Sequence, residues 1–233
     1  MKKLVFVILF FASAFSLKAQ DSTNVEPDGR PSIYWLFHNN YNLATRYNDV
    51  TAAKSALYSL INIDPQNDSL RVNLAYLYFD LKMYASTILV SMDILARNPQ
   101  NIISLEMSAI SYEQLGLKDK ALTNYEQLYI ITEEIQTLYK LTSIQYELNR
   151  FKECEVNLEI LLAYPELDSK TVVFQLNDLE QKEFPLKAAI LNLSGQIKKA
   201  QGDKAGAKKD FNSALEIDPE FIFATNNLTE LDK

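Results

Sequence analysis

The sequence predicts an all-α fold, a solenoid of about five helix–turn–helix units with one interruption near its C-terminal end. Two similar proline segments lie 34 residues apart, Ile63-Asp64-Pro65 and Arg97-Asn98-Pro99, and a third, Ile217-Asp218-Pro219, lies near the C-terminus. Each segment closes a stretch with the apolar spacing of an α-helix. Gly and Pro number only five and seven in 233 residues, so most of the chain can form helices that bury a core.

The first twenty residues predict a secretory signal peptide. Two lysines precede an apolar run from Leu4 to Phe15, and cleavage is expected after Ala19 or Gln20. The run is shorter than the roughly 20 residues that span a bilayer, so no stable membrane insertion is expected after cleavage. The leader resembles bacterial export signals and has no cysteine at its end. We therefore expect a periplasmic or secreted protein without a lipid anchor, with a flexible linker over residues 21–32.

Residues 33–168 predict the first four units, and the third unit shows the pattern best. Ala109 stands at a small position of its first helix, Gly116 in the turn, and Ala121 at a small position of its second helix. Small residues at these points allow two helices to approach closely. Cys154 stands in the fourth unit where Ala121 stands in the third, and we expect it to be a small core residue rather than a nucleophile.

Residues 169–187 interrupt the period. The distance from Pro65 to Pro219 exceeds four periods of 34 by 18 residues. Residues 171–174 are rich in strand-forming types, and Asn177-Asp178 favours a turn. We expect a short β-hairpin or extended excursion here, with a weak second arm because Pro185 lacks an N–H donor. Two interpretations stay open, a specialised partner contact and a tolerated loop.

Residues 188–233 predict a fifth unit and a capping helix. Gly195, Gly202 and Ala207 repeat the small-residue pattern, and Phe211 follows at helical spacing. Residues 222–231 carry apolar side chains that are expected to form an extra helix. It would cover the apolar face of the last unit, which has no following neighbour.

On these small-residue, aromatic and proline positions, residues 34–221 resemble the tetratricopeptide repeat family, apart from the interruption. The resemblance implies a right-handed α–α superhelix whose first helices line a concave groove that binds proteins or peptides. Some family members clamp a peptide's terminal carboxylates with basic and amide residues. Asn42 and Asn73 match the amide positions here, but the basic positions hold His38, Ile103 and Met107. Recognition of chaperone tails is therefore not expected.

Composition and motifs exclude several functional classes. The formal net charge of −7 opposes phosphate backbones, so nucleic-acid binding is not expected. A single cysteine, Cys154, excludes an intramolecular disulfide, and a single histidine, His38, leaves little for a catalytic triad or a His-rich metal site. The sequence has no Gly-rich phosphate loop and no paired-cysteine spacing. We expect no enzymatic activity, no metal and no cofactor.

The register of the resemblance places candidate partner-binding residues on the first helices of the units. Aromatic rings supply apolar area there, and asparagine amides can hydrogen-bond a main chain. Any one of these aromatic residues could instead fill the space between helices. The candidates are Trp35, His38, Asn42, Asn73, Tyr76, Phe79, Met107, Tyr139 and Tyr146.

The functional expectation is an exported, non-enzymatic scaffold that binds a protein or an extended peptide in the concave groove. The alternative is an accessory of cell-envelope assembly or nutrient uptake that binds a glycan by stacking sugars on exposed aromatic rings.

Overall fold

The solenoid consists of five helix pairs, a two-stranded hairpin and a final helix. A computed structural model describes residues 29–177 and 180–231. The expected signal peptide, residues 1–20, and linker residues 21–28 lie outside the described residues. The helix pairs are α1 (Ser32–Arg46) with α2 (Val50–Ile63), α3 (Asp68–Asp80) with α4 (Tyr84–Leu95), α5 (Ile102–Gln114) with α6 (Lys118–Thr132), α7 (Ile135–Glu147) with α8 (Phe151–Leu162), and α9 (Leu186–Ala200) with α10 (Lys204–Ile217).

The turn inside each helix pair contains one residue with a left-handed backbone. Asn48, Lys82 and Asn149 have φ values of 55°, 57° and 58°, whereas Gly116 and Gly202 have values of 72° and 89°. Glycine adopts this conformation without steric cost and asparagine tolerates it, but lysine adopts it rarely. The same turn geometry therefore recurs in all five units although the residue that adopts it changes.

Small buried residues allow the two helices of a pair to pack closely. Ala121, Cys154 and Ala207 are fully buried, as the repeat pattern predicts. Gly195 on α9 shows how little space remains, because a Cβ atom there would lie 2.5 Å from Cε1 of Phe211 on α10. Glycine is required at this position because the phenyl ring already occupies the space of a methyl group.

The apolar core is divided into three clusters along the solenoid. The N-terminal cluster joins α1, α2 and α3, and the middle cluster extends from α5 to α9. The C-terminal cluster joins the hairpin, α9, α10 and the final helix, α11 (Ile222–Leu231). Representative members are Tyr34, Leu57 and Leu74 in the first cluster, Leu105, Leu138 and Ile190 in the second, and Phe184, Phe211 and Phe221 in the third.

A β-hairpin precedes the last helix pair, which confirms the predicted insertion. Strand β1 (Thr171–Asn177) runs antiparallel to β2 (Glu180–Pro185), with Thr171 opposite Pro185 and Val173 opposite Glu183. The second arm pairs over its full length. Proline is tolerated because Pro185 and Thr171 form a non-hydrogen-bonded pair, next to the hydrogen bond from the N–H of Leu186 to the carbonyl oxygen of Lys170. The missing N–H donor therefore costs no hydrogen bond of the ladder.

Aromatic rings attach the hairpin to the last unit and to α11. Phe184 is buried and its ring centroid lies 4.9 Å from that of Phe221, while the centroids of Phe174 and Phe223 lie 4.6 Å apart. Lys182 on β2 also pairs with Glu220, with 2.7 Å from Nζ to Oε2. The hairpin is therefore held in one position rather than projecting as an isolated loop.

Helix α11 covers the end of the solenoid, as predicted for a capping helix. Phe221, Ala224 and Leu231 are buried against the last helix pair. On the other side of α11, Asn226 and Thr225 remain exposed. The final helix thus buries one face and leaves the other to solvent, which is the amphipathic arrangement of a terminal repeat element.

Candidate functional site

The open clefts of the described residues include three that lie along the first helices of more than one unit. We call them the N-terminal, middle and C-terminal clefts, and their volumes are about 210, 560 and 270 Å³. Binding sites in proteins are concave surfaces with apolar walls and a few polar groups. The three clefts are therefore the surfaces to compare with the residues that the sequence predicts.

The N-terminal cleft contains two of the predicted partner-binding residues. It lies between α1, the start of α2, and α3. Asn73 and Tyr76 of α3 face Tyr41 and Thr45 of α1 across it, and Tyr76 is exposed. Further lining residues are Ala44, Asn48, Asp49, Val50, Ala53, Leu77 and Asp80.

Three other predicted residues form a group on α1. The rings of Trp35 and His38 meet edge to face with centroids 5.4 Å apart. Asn42 lies one turn further on, with its Nδ2 atom 3.2 Å from Nδ1 of His38. The three side chains lie together on one helix, but they are not part of the lining of the N-terminal cleft.

Phe79 and Met107 line none of these three clefts. Phe79 is partly buried, and its ring packs edge to face against Tyr84 with centroids 6.0 Å apart. Met107 is 5% exposed, so it belongs to the core. The side chain of Met107 fills space between helices and leaves a partner almost no surface.

The middle cleft lies between α5, α7 and the hairpin, and it is acidic. Lys140 pairs with Glu113, with 2.6 Å from Nζ to Oε1. Burial and the nearby Glu113 carboxylate raise the pKa of Tyr125, so its hydroxyl stays protonated and donates to Glu113. Glu106 and Glu134 are exposed and form no ion pair within the described residues. Other lining residues are Ile110, Gln114, Leu128, Gln136, Thr137, Val173 and Gln181.

The C-terminal cleft lies between α7, α9, α11 and β1, and it combines rings with amides. Nδ2 of Asn227 donates to Oδ1 of Asn192 over 2.8 Å, which orients two amides from neighbouring helices. Among the described residues of its lining, Glu147 alone carries a formal charge. The rings are Tyr139, Tyr146, Phe174 and Phe223, and the remaining residues are Ser143, Leu193, Gln196 and Asn226.

Sequence reasoning found Tyr139 and Tyr146 in this cleft but missed most of its other residues. Asn192 could have been found, because it stands fifteen residues before the small position Ala207, as Tyr139 stands fifteen before Cys154. Extending the repeat register across the interruption would have included it. The missed cleft residues include Ser143, Phe174, Asn192, Leu193, Gln196, Phe223, Asn226 and Asn227.

The described residues contain few groups that are suited to chemical catalysis. No cluster of three or more His, Cys, Asp or Glu side chains within residues 29–177 and 180–231 could hold a metal ion. Burial raises the pKa of the Cys154 thiol to about 11, and its Sγ atom lies 3.6 Å from the carbonyl oxygen of Thr142. A thiol in this state is a poor nucleophile. In the same part of the chain, no helix combines the length and apolar character that crossing a membrane requires.

One helix pair matches a known repeat model in sequence. Residues 188–221, which include α9 and α10, match the model described as the tetratricopeptide repeat. No curated protein matches the chain. The sequence match therefore identifies the repeat type of the fifth unit.

Several solved structures share the fold of the chain. A tetratricopeptide repeat protein from Parabacteroides merdae is 19% identical, with a TM-score of 0.66 over 86% of this chain and 72% of that one. YrrB, described as a TPR protein with an unusual peptide-binding site, is 13% identical, with a TM-score of 0.64 over 82% of this chain and 89% of its own. MamA from Desulfovibrio magneticus RS-1 is 12% identical, with a TM-score of 0.60 over 81% and 96%. At these identities the similarity concerns the fold alone.

Proposed function

We propose that this protein, which folds as a tetratricopeptide-repeat solenoid, is a non-enzymatic scaffold that binds an extended segment of another protein along its first helices. The observation that carries the proposal is the C-terminal cleft, where rings and oriented amides from three helices and a strand meet. Proteins of this fold are generally scaffolds for protein–protein interaction rather than catalysts. YrrB supports a peptide as the ligand class, since that protein has the same fold and a peptide-binding site.

The chemistry of the C-terminal cleft suits a peptide main chain. A primary amide both donates and accepts hydrogen bonds, so the side chains of Gln196 and Asn226 can satisfy the N–H and C=O groups of a bound peptide. Tyr146 and Phe223 provide apolar area at a low cost in side-chain entropy. The hydrogen bond between Asn192 and Asn227 exists before any partner binds, which lowers the cost of ordering the site.

The proposal includes export of the protein to the periplasm or the cell exterior. Its support is the leader, in which a basic start is followed by an apolar run and by Ala19. Expression of the full chain in a bacterium, followed by N-terminal sequencing of the periplasmic fraction, tests this part. A mature chain that starts after Ala19 or Gln20 is expected. A chain that still starts at Met1 contradicts export by cleavage.

Selection of peptides from a displayed random library tests the binding function. The purified protein should enrich peptides, and Tyr146→Ala and Asn226→Ala should each weaken the best of them about fivefold or more, because both side chains line the C-terminal cleft. Asn212→Ala is the matched control, since Asn212 is an exposed asparagine on α10, outside the cleft. No enrichment, or equal affinity in all variants, contradicts the proposed site.

A glycan is the second candidate ligand, and one observation favours it. The rings of the C-terminal cleft adjoin several neutral amides, and sugars bind such surfaces through ring stacking and hydroxyl hydrogen bonds. A glycan array with the purified protein distinguishes the two candidates. Glycan binding that Tyr146→Ala abolishes, in a protein that enriches no peptide, would assign the cleft to carbohydrate.

A further inference from the structure

Strand β1 has an unprotected edge. Its seven residues, Thr171–Asn177, include no charged residue, no proline and no glycine. The sheet in the described part of the chain has two strands, so each strand has one edge without a neighbouring strand. Natural proteins usually blunt such edges with charges or proline. Strand β2 has these features in Glu180, Lys182, Glu183 and Pro185, whereas β1 does not.

The register shows which backbone groups of β1 point away from β2. The N–H of Leu186 donates to the carbonyl oxygen of Lys170 over 2.9 Å, which extends the register of the ladder by one pair. Hydrogen-bonded and non-bonded pairs alternate in an antiparallel ladder. The N–H and C=O groups of Thr171 and Val173 are therefore directed to the open edge. The register shifts between Gln175 and Asn177, so the regular alternation ends at Gln175.

The open edge belongs to a rigid hairpin. An isolated two-stranded hairpin is marginally stable in water. Here Phe174 and Phe184 pack on Phe221 and Phe223, which fixes one face of the hairpin against the last unit. The edge is consequently ordered before any partner arrives, and a strand added to it would not have to organise the hairpin.

The other face of the hairpin looks onto the acidic middle cleft. Val173 is 58% exposed, and together with Gln181 it lines the cleft opposite α5 and α7. Side chains alternate between the two faces of a sheet, so every second side chain of an added strand would point to the same side as Val173. Those side chains would meet the carboxylates of Glu106 and Glu134, which form no ion pair within the described residues.

We propose that β1 accepts an extended basic segment of a partner protein as the third strand of the sheet. Lys or Arg at alternate positions of that segment pairs with Glu106 and Glu134. The main-chain groups of Thr171 and Val173 supply affinity for any extended chain, and the acidic cleft supplies the preference for a basic one. This inference rests on the proposed function of binding an extended segment, and it adds a site at β1 and the middle cleft that is separate from the C-terminal cleft.

The first test measures binding of a fluorescein-labelled heptapeptide in which lysine and valine alternate, by fluorescence anisotropy with the purified protein. Val173→Pro should weaken binding at least tenfold, because it removes an N–H group from the open edge. The pairing of β1 with β2 does not use that N–H group. Val173→Thr is the matched control and should bind like the wild type, since it keeps the N–H and the strand preference. Circular dichroism melting curves verify that both variants fold.

The second test concerns the charge of the partner segment. Glu106→Gln combined with Glu134→Gln should weaken the lysine–valine peptide severalfold and reduce the effect of added salt. Glu159→Gln combined with Glu216→Gln removes two exposed carboxylates from second helices and should leave the affinity unchanged. A heptapeptide of alternating glutamate and valine should bind at least tenfold more weakly than the basic peptide.

Several results would overturn the inference. They are equal binding by Val173→Pro and Val173→Thr, no binding of the basic peptide by the wild type, or equal binding of the acidic peptide. A wild type that sediments as a dimer, beside a monomeric Val173→Pro variant, would make a second copy of the chain the occupant of β1. These failures can be distinguished from failure of the proposed function. The proposed function is tested separately, by the enrichment of library peptides and by the Tyr146→Ala and Asn226→Ala variants.

Discussion

Lys82 occupies a turn position that suits glycine better. In the equivalent turns of other units the left-handed residue is Gly116, Gly202 or an asparagine. A residue with a Cβ atom is destabilised by roughly 1–2 kcal/mol in the left-handed conformation. Glycine avoids this strain, but it also has more conformational freedom in the unfolded state, which lowers the net stabilisation from a change to glycine.

Lys82→Gly should therefore stabilise the protein by about 0.5–1 kcal/mol in urea denaturation. Gly116→Ala is the opposite control and should destabilise the protein by about 1 kcal/mol, since it places a Cβ atom at a positive φ. A Lys82→Gly variant less stable than the wild type would show that other contacts of the lysine outweigh the strain.

Gly195 shows a tertiary contact that overrides helix propensity. Alanine is normally favoured over glycine inside a helix by about 1 kcal/mol. Gly195→Ala should nevertheless destabilise the protein by about 1–3 kcal/mol, because the added methyl group collides with the Phe211 ring. Thermal or urea unfolding measures the effect. Phe211→Leu frees space, so the double variant should lose less than the sum of the single changes, and strict additivity would contradict the assigned contact.

At the scale of elements, the hairpin depends on one buried ring. Phe184→Ala should destabilise the protein by about 3–5 kcal/mol, since it removes a fully buried ring from the C-terminal cluster. Limited proteolysis with a glutamate-specific protease should then cut first at Glu180 or Glu183. Val173→Ala is the control, because Val173 is exposed on the same hairpin. Cleavage at equal rates in both variants would mean that Phe184 does not anchor the hairpin.

Composition predicts the hairpin, but its position depends on distant residues. The run Val172-Val173-Phe174 is enough to predict a strand, because β-branched and aromatic side chains favour it. That Phe174 reaches the C-terminal cleft follows from its packing against Phe223, which is far away in sequence. Single-sequence reasoning has no access to such pairings, and for this reason Phe174 was missed as a cleft residue.

The repeat register predicts well which residues lie on the first helices. It predicts less well whether their side chains are exposed. Asn73, Tyr76, Tyr139 and Tyr146 line clefts as the register suggests. Met107 has an equivalent register but is buried. The difference arises because the exposure of a position depends on how deeply its helix packs against its neighbours. A flexible methionine also fills the gaps that such packing leaves.

At the scale of the whole molecule, α11 protects the end of the solenoid. Truncation after Glu220 removes Phe221, Ala224 and Leu231 from the C-terminal cluster. The truncated protein should lose at least about 3 kcal/mol of unfolding free energy and should self-associate, because the last unit then exposes an apolar face. Urea denaturation and sedimentation measure the two effects. Thr225→Ala, on the exposed side of α11, is the control and should change neither the unfolding free energy nor the association state. A truncated chain as stable as the wild type contradicts the capping role.

The hairpin also affects how a bound chain would align with the repeats. In a solenoid of equivalent units, a bound chain can slide by one repeat and find nearly the same contacts, so several alignments compete. The hairpin occurs at one junction only within the described residues, and it faces α5 and α7 on one side and α9 and α11 on the other. A partner that binds the hairpin would lose its contacts with the hairpin if it moved by one repeat. The inserted strands thus make one junction of the array different from the others. A chain that contacts these strands therefore has a single alignment with the repeats.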